Sequence, residues 1–235
     1  TVRKCLDIAF TGYTWPERFI VLTTPFDFAR ERGCCFRSYF SDPDEWTNLF
    51  KVAGDDGRGL WRAVFPTRNE ETDEEALGDA GAQQRLQHFF PKPGPYEIVH
   101  RNLYKVHQRV AETFRKGRVF LAGDAAHVNN PIGGLGLNCG IHDGVELAQR
   151  LARFCGGEGG EDELDLYDRR RRPMNIEFVQ AQTVNNKKRL EEKDPAVRAA
   201  NFDQLRATAA DPERHRQFLL RTSLIESVRK AALIT

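Results

Sequence analysis

Residues 118–138 read Arg118-Val-Phe-Leu-Ala-Gly-Asp-Ala-Ala-His127, then Val-Asn-Asn, then Pro131-Ile-Gly-Gly-Leu-Gly-Leu-Asn138. The apolar run Val119–Ala122 has strand character and closes on Gly123-Asp124, which places a carboxylate at the carboxyl end of a buried strand. Ligands of α/β folds collect at such strand ends, and a carboxylate there can accept hydrogen bonds from ribose or ribityl hydroxyls. At Gly133, Gly134 and Gly136 no Cβ intervenes, so the backbone can come close to a flat ring. A helix is expected to begin near Leu137–Asn138, and its first amide N–H groups lack acceptors within the helix. Their partial positive charge favours a ligand edge that becomes negative. Asp124 could instead cap a turn, and 133–136 could be an ordinary loop; the order strand, acidic turn, glycine loop, helix favours a ligand.

Outward from this stretch, the helix is expected to run to Cys155 and to bury Ile141, Val145, Ala148, Leu151 or Ala152, and Cys155, which follow the 3.6-residue period. Gly156–Gly160 ends it. The glycine run is not a dinucleotide fingerprint, because Cys139 stands at the third-glycine position and no acidic strand end follows about 20 residues on. Upstream, Leu6–Phe10, Phe19–Thr23, Cys34–Phe40, Glu45–Val52 and Leu60–Phe65 have strand length and content, separated by Gly12, Pro25, Gly33, Asp42-Pro43 and a turn at 54–59. They predict an antiparallel sheet with one face covered. A helical segment opens at Glu70–Glu75 and runs to about Phe90, Pro91–Pro95 closes it, and Tyr96–His107 returns to strand. Beyond Asp162 the chain is helical, with starts at Asp194-Pro195 and Asp211-Pro212. The fold class is therefore α+β (α/β in a parent protein). Residues 1–110 are expected to form the sheet domain, 111–160 the strand–loop–helix motif and 161–235 a helical tail.

A net charge of +1 gives no footprint for nucleic acid or an acidic membrane, and no apolar run approaches a membrane span. Cys5, Cys34, Cys35, Cys139 and Cys155 are an odd set without CxxC spacing, read as reduced thiols of a cytoplasmic protein. His127 reads as a structural hydrogen-bonder, and no metal site is expected. Arg169–Arg172 reads as a solvated helix face pairing with Asp165 and Asp168.

The stretch 118–138, with Asp143 after it, resembles the second FAD motif of the flavin-dependent aromatic hydroxylases of the p-hydroxybenzoate hydroxylase type. Thr1-Val2-Arg3 resembles the tail of that family's Asp-Gly-x-x-Ser-x-Val-Arg motif, Thr14–Arg18 the strand beyond it, and Tyr167-Asp168-x-x-Arg171-Arg172-Pro173 its later helix. The resemblance implies FAD as cofactor, NAD(P)H as co-substrate, and hydroxylation of a small aromatic, phenolic substrate. By position, Asp124 would hold ribityl or ribose hydroxyls, Pro131 would present its carbonyl between flavin and substrate, and Leu137 and Asn138 would bind the pyrimidine edge with their N–H groups. Gly133, Gly134 and Gly136 would complete the cofactor loop. Trp61, Tyr39 and Phe65 are candidate ring contacts, although aromatic strand residues usually fill cores; Arg62 or Arg37 would meet a substrate carboxylate.

Asn130 stands where the family often has a second proline, and Leu135 where a polar residue is common. The family's N-terminal βαβ unit with GxGxxG has no counterpart in these residues, so the chain is expected to be a piece of a longer polypeptide. An N-terminal FAD-binding segment would be its partner, on the same or a separate chain, and a homodimer is compatible. The alternative is a non-catalytic half of a divided flavoprotein, a protein-binding partner unable to hold FAD alone. A flavin halogenase would carry Trp-x-Trp-x-Ile-Pro, which is absent.

Overall fold

The computed structural model describes residues 2–54 and 57–235. Thr1 of the N-terminal motif, and Asp55 and Asp56 of the turn expected at 54–59, lie outside the described residues. In chain order the elements are α1 (Val2–Cys5), β1 (Phe10–Thr24), α2 (Phe28–Arg32), β2 (Arg37–Phe40), β3 (Thr47–Val52), β4 (Leu60–Pro66), α3 (Asp73–Leu77), α4 (Asp79–Phe89) and β5 (His100–Ala111). Then come β6 (Arg115–Lys116), β7 (Val119–Phe120), β8 (His127–Val128), α5 (Gly136–Cys155), α6 (Glu161–Met174), a π-helical turn (Asn175–Gln180), α7 (Ala181–Leu190), α8 (Pro195–Ala210), α9 (Pro212–Thr222) and α10 (Ile225–Ala232). The class is α+β. Two compact units form: one from 1–14, 107–188 and 199–235, the other from 15–106 and 189–198. Strands β1 and β5 contribute residues to both.

In the second unit β2, β3, β4 and β1 pair antiparallel in that order. Alternation along β4 buries Trp61, Ala63 and Phe65 on one face, with Leu49 and Leu22 paired across Ala63 and Ile20 across Phe65. Ala76, Ala82 and Leu86 of the two helices, with Phe28 and Tyr96, close this core. The single helix expected over 70–90 is two, separated at an extended Gly78. Thr72 opens α3 with a capping box, its Oγ1 accepting from Glu75 N at 3.1 Å while Glu75 Oε2 accepts from Thr72 N at 2.8 Å. Thr72→Ala is expected to cost about 1 kcal/mol, measured as the shift in urea midpoint multiplied by the m-value. An unchanged midpoint would show that α3 is held by packing alone.

The strand expected at Leu6–Phe10 is displaced. α1 and a turn occupy 2–9, and β1 starts at Phe10, running through Gly12 rather than breaking there. Gly12 has φ 136°, and a Cβ on it would lie 2.0 Å from the Gln108 carbonyl oxygen. The glycine marks a close strand approach, not a turn.

In the first unit the Val119–Ala122 strand is shorter than expected. Only Val119 and Phe120 are in strand, half-buried and paired with Lys116 and Arg115. Helix α5 has its expected bounds but not its expected face. Ile141 and Val145 are 54% and 52% exposed, Ala148, Ala152 and Cys155 are exposed, and Cys139 and Asp143 are the buried residues. The helix carries two stripes; α6 and the 3₁₀ turn at Gly123–Ala125 pack on the one bearing Asp143. Periodicity detects the more apolar stripe and is blind to a stripe buried through a charge.

Candidate functional site: an acidic turn, a glycine loop and an uncapped helix start

Asp124 lies in the 3₁₀ turn at Gly123–Ala125, and its side chain is exposed. Among the described residues no hydrogen bond or ion pair engages its carboxylate, so it does not act as a turn cap. The chain then passes through β8 into the loop. The Gly134 N–H donates to the Pro131 carbonyl at 2.9 Å, closing a tight turn. Gly133 and Gly134 have φ of 114° and 65°, which the turn requires of glycine. Helix α5 begins at Gly136 with no side-chain cap at Leu135, and the Cys139 N–H donates to the Leu135 carbonyl at 3.0 Å. The N–H groups before Cys139 thus have no acceptor within the helix. Leu137 and Asn138 are exposed, Leu137 at 77%. A free carboxylate, a glycine turn and a bare helix start within one unit are a donor and acceptor set that suits a hydroxylated, partly anionic ligand such as FAD.

Behind this surface lies a buried ionic cluster. His127 Nε2 is 2.7 Å from Asp143 Oδ2, and Arg171 Nε donates to Asp143 Oδ1 at 2.8 Å. The Gly123 N–H donates to the same Oδ2 at 3.1 Å, which ties the helix carboxylate to the turn that carries Asp124. Burial pulls the His127 pKa down, but hydrogen bonds and charge interaction with Asp143 and Cys139 outweigh it and push it up to about 9. Burial raises Asp143, and the His127 and Arg171 partners more than offset that, leaving it below the usual carboxylate range. His127, Cys139 and Asp143 bring three potential ligand atoms within 4.8 Å of one another. The Arg171 guanidinium sits against both Asp143 and Cys139, so a second cation there would be repelled.

Of the run Arg169–Arg172 only Arg169 is exposed, so the other three are not the solvated face that composition suggests. Arg171 is 2% exposed; Arg170 pairs with Glu146 at 3.1 Å; Arg172 Nε donates to the Ala111 carbonyl at 3.0 Å. Tyr167 Oη donates to the Leu121 carbonyl at 2.6 Å, and Asp168 Oδ1 accepts from Phe114 N at 2.8 Å. Each polar residue of Tyr167-Asp168-x-x-Arg171-Arg172 thus clamps part of the strand–turn–helix unit.

The residues expected to meet substrate are dispersed. Trp61 is 1% exposed, filled in by Phe28 and hydrogen-bonded through Nε1 to Asp27 at 3.2 Å, and Phe65 is fully buried in the same core. Both are core residues, since β4 turns them to its packed face. Tyr39 is 37% exposed, and its hydroxyl accepts from Arg37 Nε at 2.8 Å. Arg62 is exposed on the other face of β4. That other face carries two buried oxygens that sequence reasoning missed, Thr23 Oγ1 and Asn48 Oδ1, neither with a hydrogen-bond partner among the described residues. Thr23 pairs with Arg62 and Asn48 with Val64, one on each side of β4. A threonine and an asparagine at inward strand positions were the available signal.

Known proteins share this organisation. Residues 1–182 match the FAD binding domain family. The chain is 35% identical to para-nitrophenol 4-monooxygenase of Pseudomonas sp. (strain WBC-3), covering 94% of this chain and 54% of that one. It is 32% identical to 6-hydroxy-3-succinoylpyridine 3-monooxygenase HspB of Pseudomonas putida (strain DSM 28022 / S16), covering 92% and 54%. The chain thus spans about half the length of the curated relatives it matches. The crystal structure of p-nitrophenol 4-monooxygenase PnpA from Pseudomonas putida DLL-E4 superposes with a TM-score of 0.85 at 32% identity, over 95% of this chain and 57% of that one. Aklavinone-11 hydroxylase, solved with FAD and aklavinone, gives 0.70 at 26% identity, over 80% and 35%. With more than three quarters of its length matched by the family and its fold shared with these enzymes, the chain belongs to the FAD binding domain family of flavin-dependent aromatic hydroxylases.

Proposed function

We propose that this chain carries the flavin-ring half of the active site of an aromatic monooxygenase that uses NAD(P)H and O2 to hydroxylate a phenolic ring. The observation that carries this reading is the exposed, unengaged Asp124 carboxylate beside a glycine turn and an uncapped helix start. Bound FAD supplies the electron transfer and oxygen activation that no side chain provides. Asp124 accepts hydrogen bonds from its ribityl or ribose hydroxyls. The N–H groups of Leu137 and Asn138 hold the pyrimidine edge and stabilise the negative charge that the ring carries when reduced. Such helix-start terms are worth about 0.3–1 kcal/mol when exposed and about 2 kcal/mol when partly buried. Gly133, Gly134 and Gly136 would give the ring room, and the Pro131 carbonyl, which accepts from the Gly134 N–H, would stand beside the substrate.

The relatives' names, which specify a nitrophenol and a hydroxypyridine, support an aromatic substrate. We assign it here as a hydroxyl-bearing six-membered aromatic ring. Thr23 Oγ1 and Asn48 Oδ1 are buried acceptors without partners, suited to a ring hydroxyl, and Arg62 on the same face of β4 suits an anionic substituent.

The exposed stripe Leu137, Ile141, Val145 on α5 supports a further element of the reading, an N-terminal segment that holds the ADP half of FAD and covers this stripe. Five unpaired cysteines agree with a cytoplasmic setting, and no described helix is long and apolar enough to cross a membrane. The test is to purify the chain alone and together with such a segment, on one polypeptide or two. The chain alone is expected to be colourless, and the combined protein yellow, with NAD(P)H oxidation stimulated by a phenol and oxygen recovered in the hydroxylated product. Stoichiometric flavin on the chain alone would overturn the need for the segment. A yellow complex that turns over no phenol would favour the non-catalytic, divided flavoprotein, and a combined protein without flavin would overturn the reading altogether.

A further inference from the structure

The loop that bears Pro131 is held by a closed circuit of buried amides. Gln108 on β5 is 4% exposed and Asn130 is fully buried. The Gln108 Oε1 accepts from Asn130 N at 3.0 Å and from Asn130 Nδ2 at 3.2 Å, while Asn130 Oδ1 accepts from Ile132 N at 3.1 Å. On its other side Gln108 Nε2 donates to Gln180 Oε1 at 2.7 Å and to Thr183 Oγ1 at 3.0 Å. Gln180 Nε2 in turn donates to the Val128 carbonyl at 3.2 Å, which closes the circuit on the strand entering the loop. Because donors meet acceptors on both sides of Gln108, its amide has one satisfiable orientation. Asn186 Nδ2 adds a bond to the Ile132 carbonyl at 3.2 Å.

Gln180 reaches this position from an irregular turn. Pro173 sits inside α6 without an N–H to give, and Asn175–Gln180 continue as a π-helical turn. Such a turn rotates side chains out of α-helical register and is frequent at functional sites. A structural core has no need of a circuit of three side-chain amides and a threonine hydroxyl that ends on one loop. A buried polar network earns its place by fixing a single geometry.

We propose that Gln108 and Asn130 are positioning residues that set where the Pro131 carbonyl stands, and so how much reduced oxygen reaches the aromatic ring rather than leaving as hydrogen peroxide. This rests on the flavin-ring reading above. Asn130 gives the loop, through hydrogen bonds, the stiffness that a second proline would give covalently. Neither residue touches cofactor or substrate in this assignment. Both act through the loop backbone, where a displacement near 1 Å costs roughly a hundredfold in the reaction.

The test uses the complete flavin-loaded enzyme with Gln108→Met, Asn130→Ala and Asn130→Ser, and with Leu86→Ala, a buried residue of α4, as a destabilised control in the other unit. The readout is hydrogen peroxide formed per NAD(P)H oxidised at saturating phenol. Gln108→Met and Asn130→Ala are expected to raise that ratio by at least about threefold while flavin content stays within about twofold. Asn130→Ser keeps a hydroxyl that can accept from Ile132 N–H and donate to Gln108, and is expected to restore most of the coupling. Leu86→Ala lowers the melting temperature without moving the ratio. A ratio unchanged in every folded Gln108 or Asn130 variant overturns the proposal. So does an equal rise in Leu86→Ala, because the effect would then be general loosening. If Gln108→Met does not fold, the Ala and Ser variants at 130 decide alone. Colourless parent enzyme would fail the flavin reading instead, and is distinguishable at once.

Discussion

Asp143→Ala is expected to lower folding stability by about 3–5 kcal/mol, because it strips a buried arginine and a buried histidine of their common counter-charge. Asp143 is fully buried, His127 is 1% exposed and Arg171 2%. Their mutual attraction only offsets the cost of taking three charges out of water, so the intact cluster adds little net stability, but the broken one leaves two cations facing each other. The pH dependence has a definite sign. His127 is raised from 6.5 to about 9, so its contribution is complete below pH 6.5 and disappears as pH rises through about 9. Asp143 is lowered from 3.8, so its contribution is present above pH 3.8 and fades as pH falls through its lower folded value. The cluster thus supports the fold most between about pH 4 and 6.5. Urea unfolding at a series of pH values should show this plateau in the parent and a flatter profile in His127→Gln. A loss below about 1 kcal/mol in Asp143→Ala would show that Arg171 and His127 find other partners or water, and that the cluster is dispensable.

This cluster also marks where the sequence stops being readable. The order strand, acidic turn, glycine loop, helix was visible at 118–138 because each part has its own local signature: an apolar run, Gly-Asp, glycines at φ > 0 positions, a helix opening without a cap. Strands β3 and β4 were legible for the same reason, since alternation and turn residues are local. Buried charge is not local. Asp143, Arg171 and His127 come from three separate elements, and each looks polar and therefore solvated until the other two are in place. That is why the α5 face was assigned to Ile141 and Val145, and why Arg169–Arg172 was read as a surface. Gln108 failed to register likewise, and Asn130, 22 residues away, stood out only as the residue in place of a second proline and not as a buried hydrogen-bonder. Trp61 is a different case: its type allows either a ring contact or a core position, and its phase on β4 places it in the core with Ala63 and Phe65.

Asp124→Ala should separate cofactor affinity from folding. The side chain is exposed and touches no described group, and substitutions at such positions usually change stability by less than about 0.5 kcal/mol. Asp143 rather than Asp124 secures the turn, through the Gly123 N–H, so the backbone of Gly123–Ala125 survives the change. What is lost is a charged acceptor aimed away from the protein. Hydrogen bonds from ligand hydroxyls to a carboxylate are among the stronger class, and their removal is expected to weaken flavin binding roughly ten- to a hundredfold. Asp124→Asn keeps one acceptor oxygen and should fall between parent and alanine. Equilibrium dialysis of flavin from the complete protein, beside thermal unfolding of the flavin-free form, measures the two quantities separately. Equal flavin retention in parent and Asp124→Ala would mean that the carboxylate faces no ligand hydroxyl. The glycine loop and helix start would then have to hold the ring without it. A fall in both affinity and melting temperature would return Asp124 to the turn, as a structural residue whose partner is water.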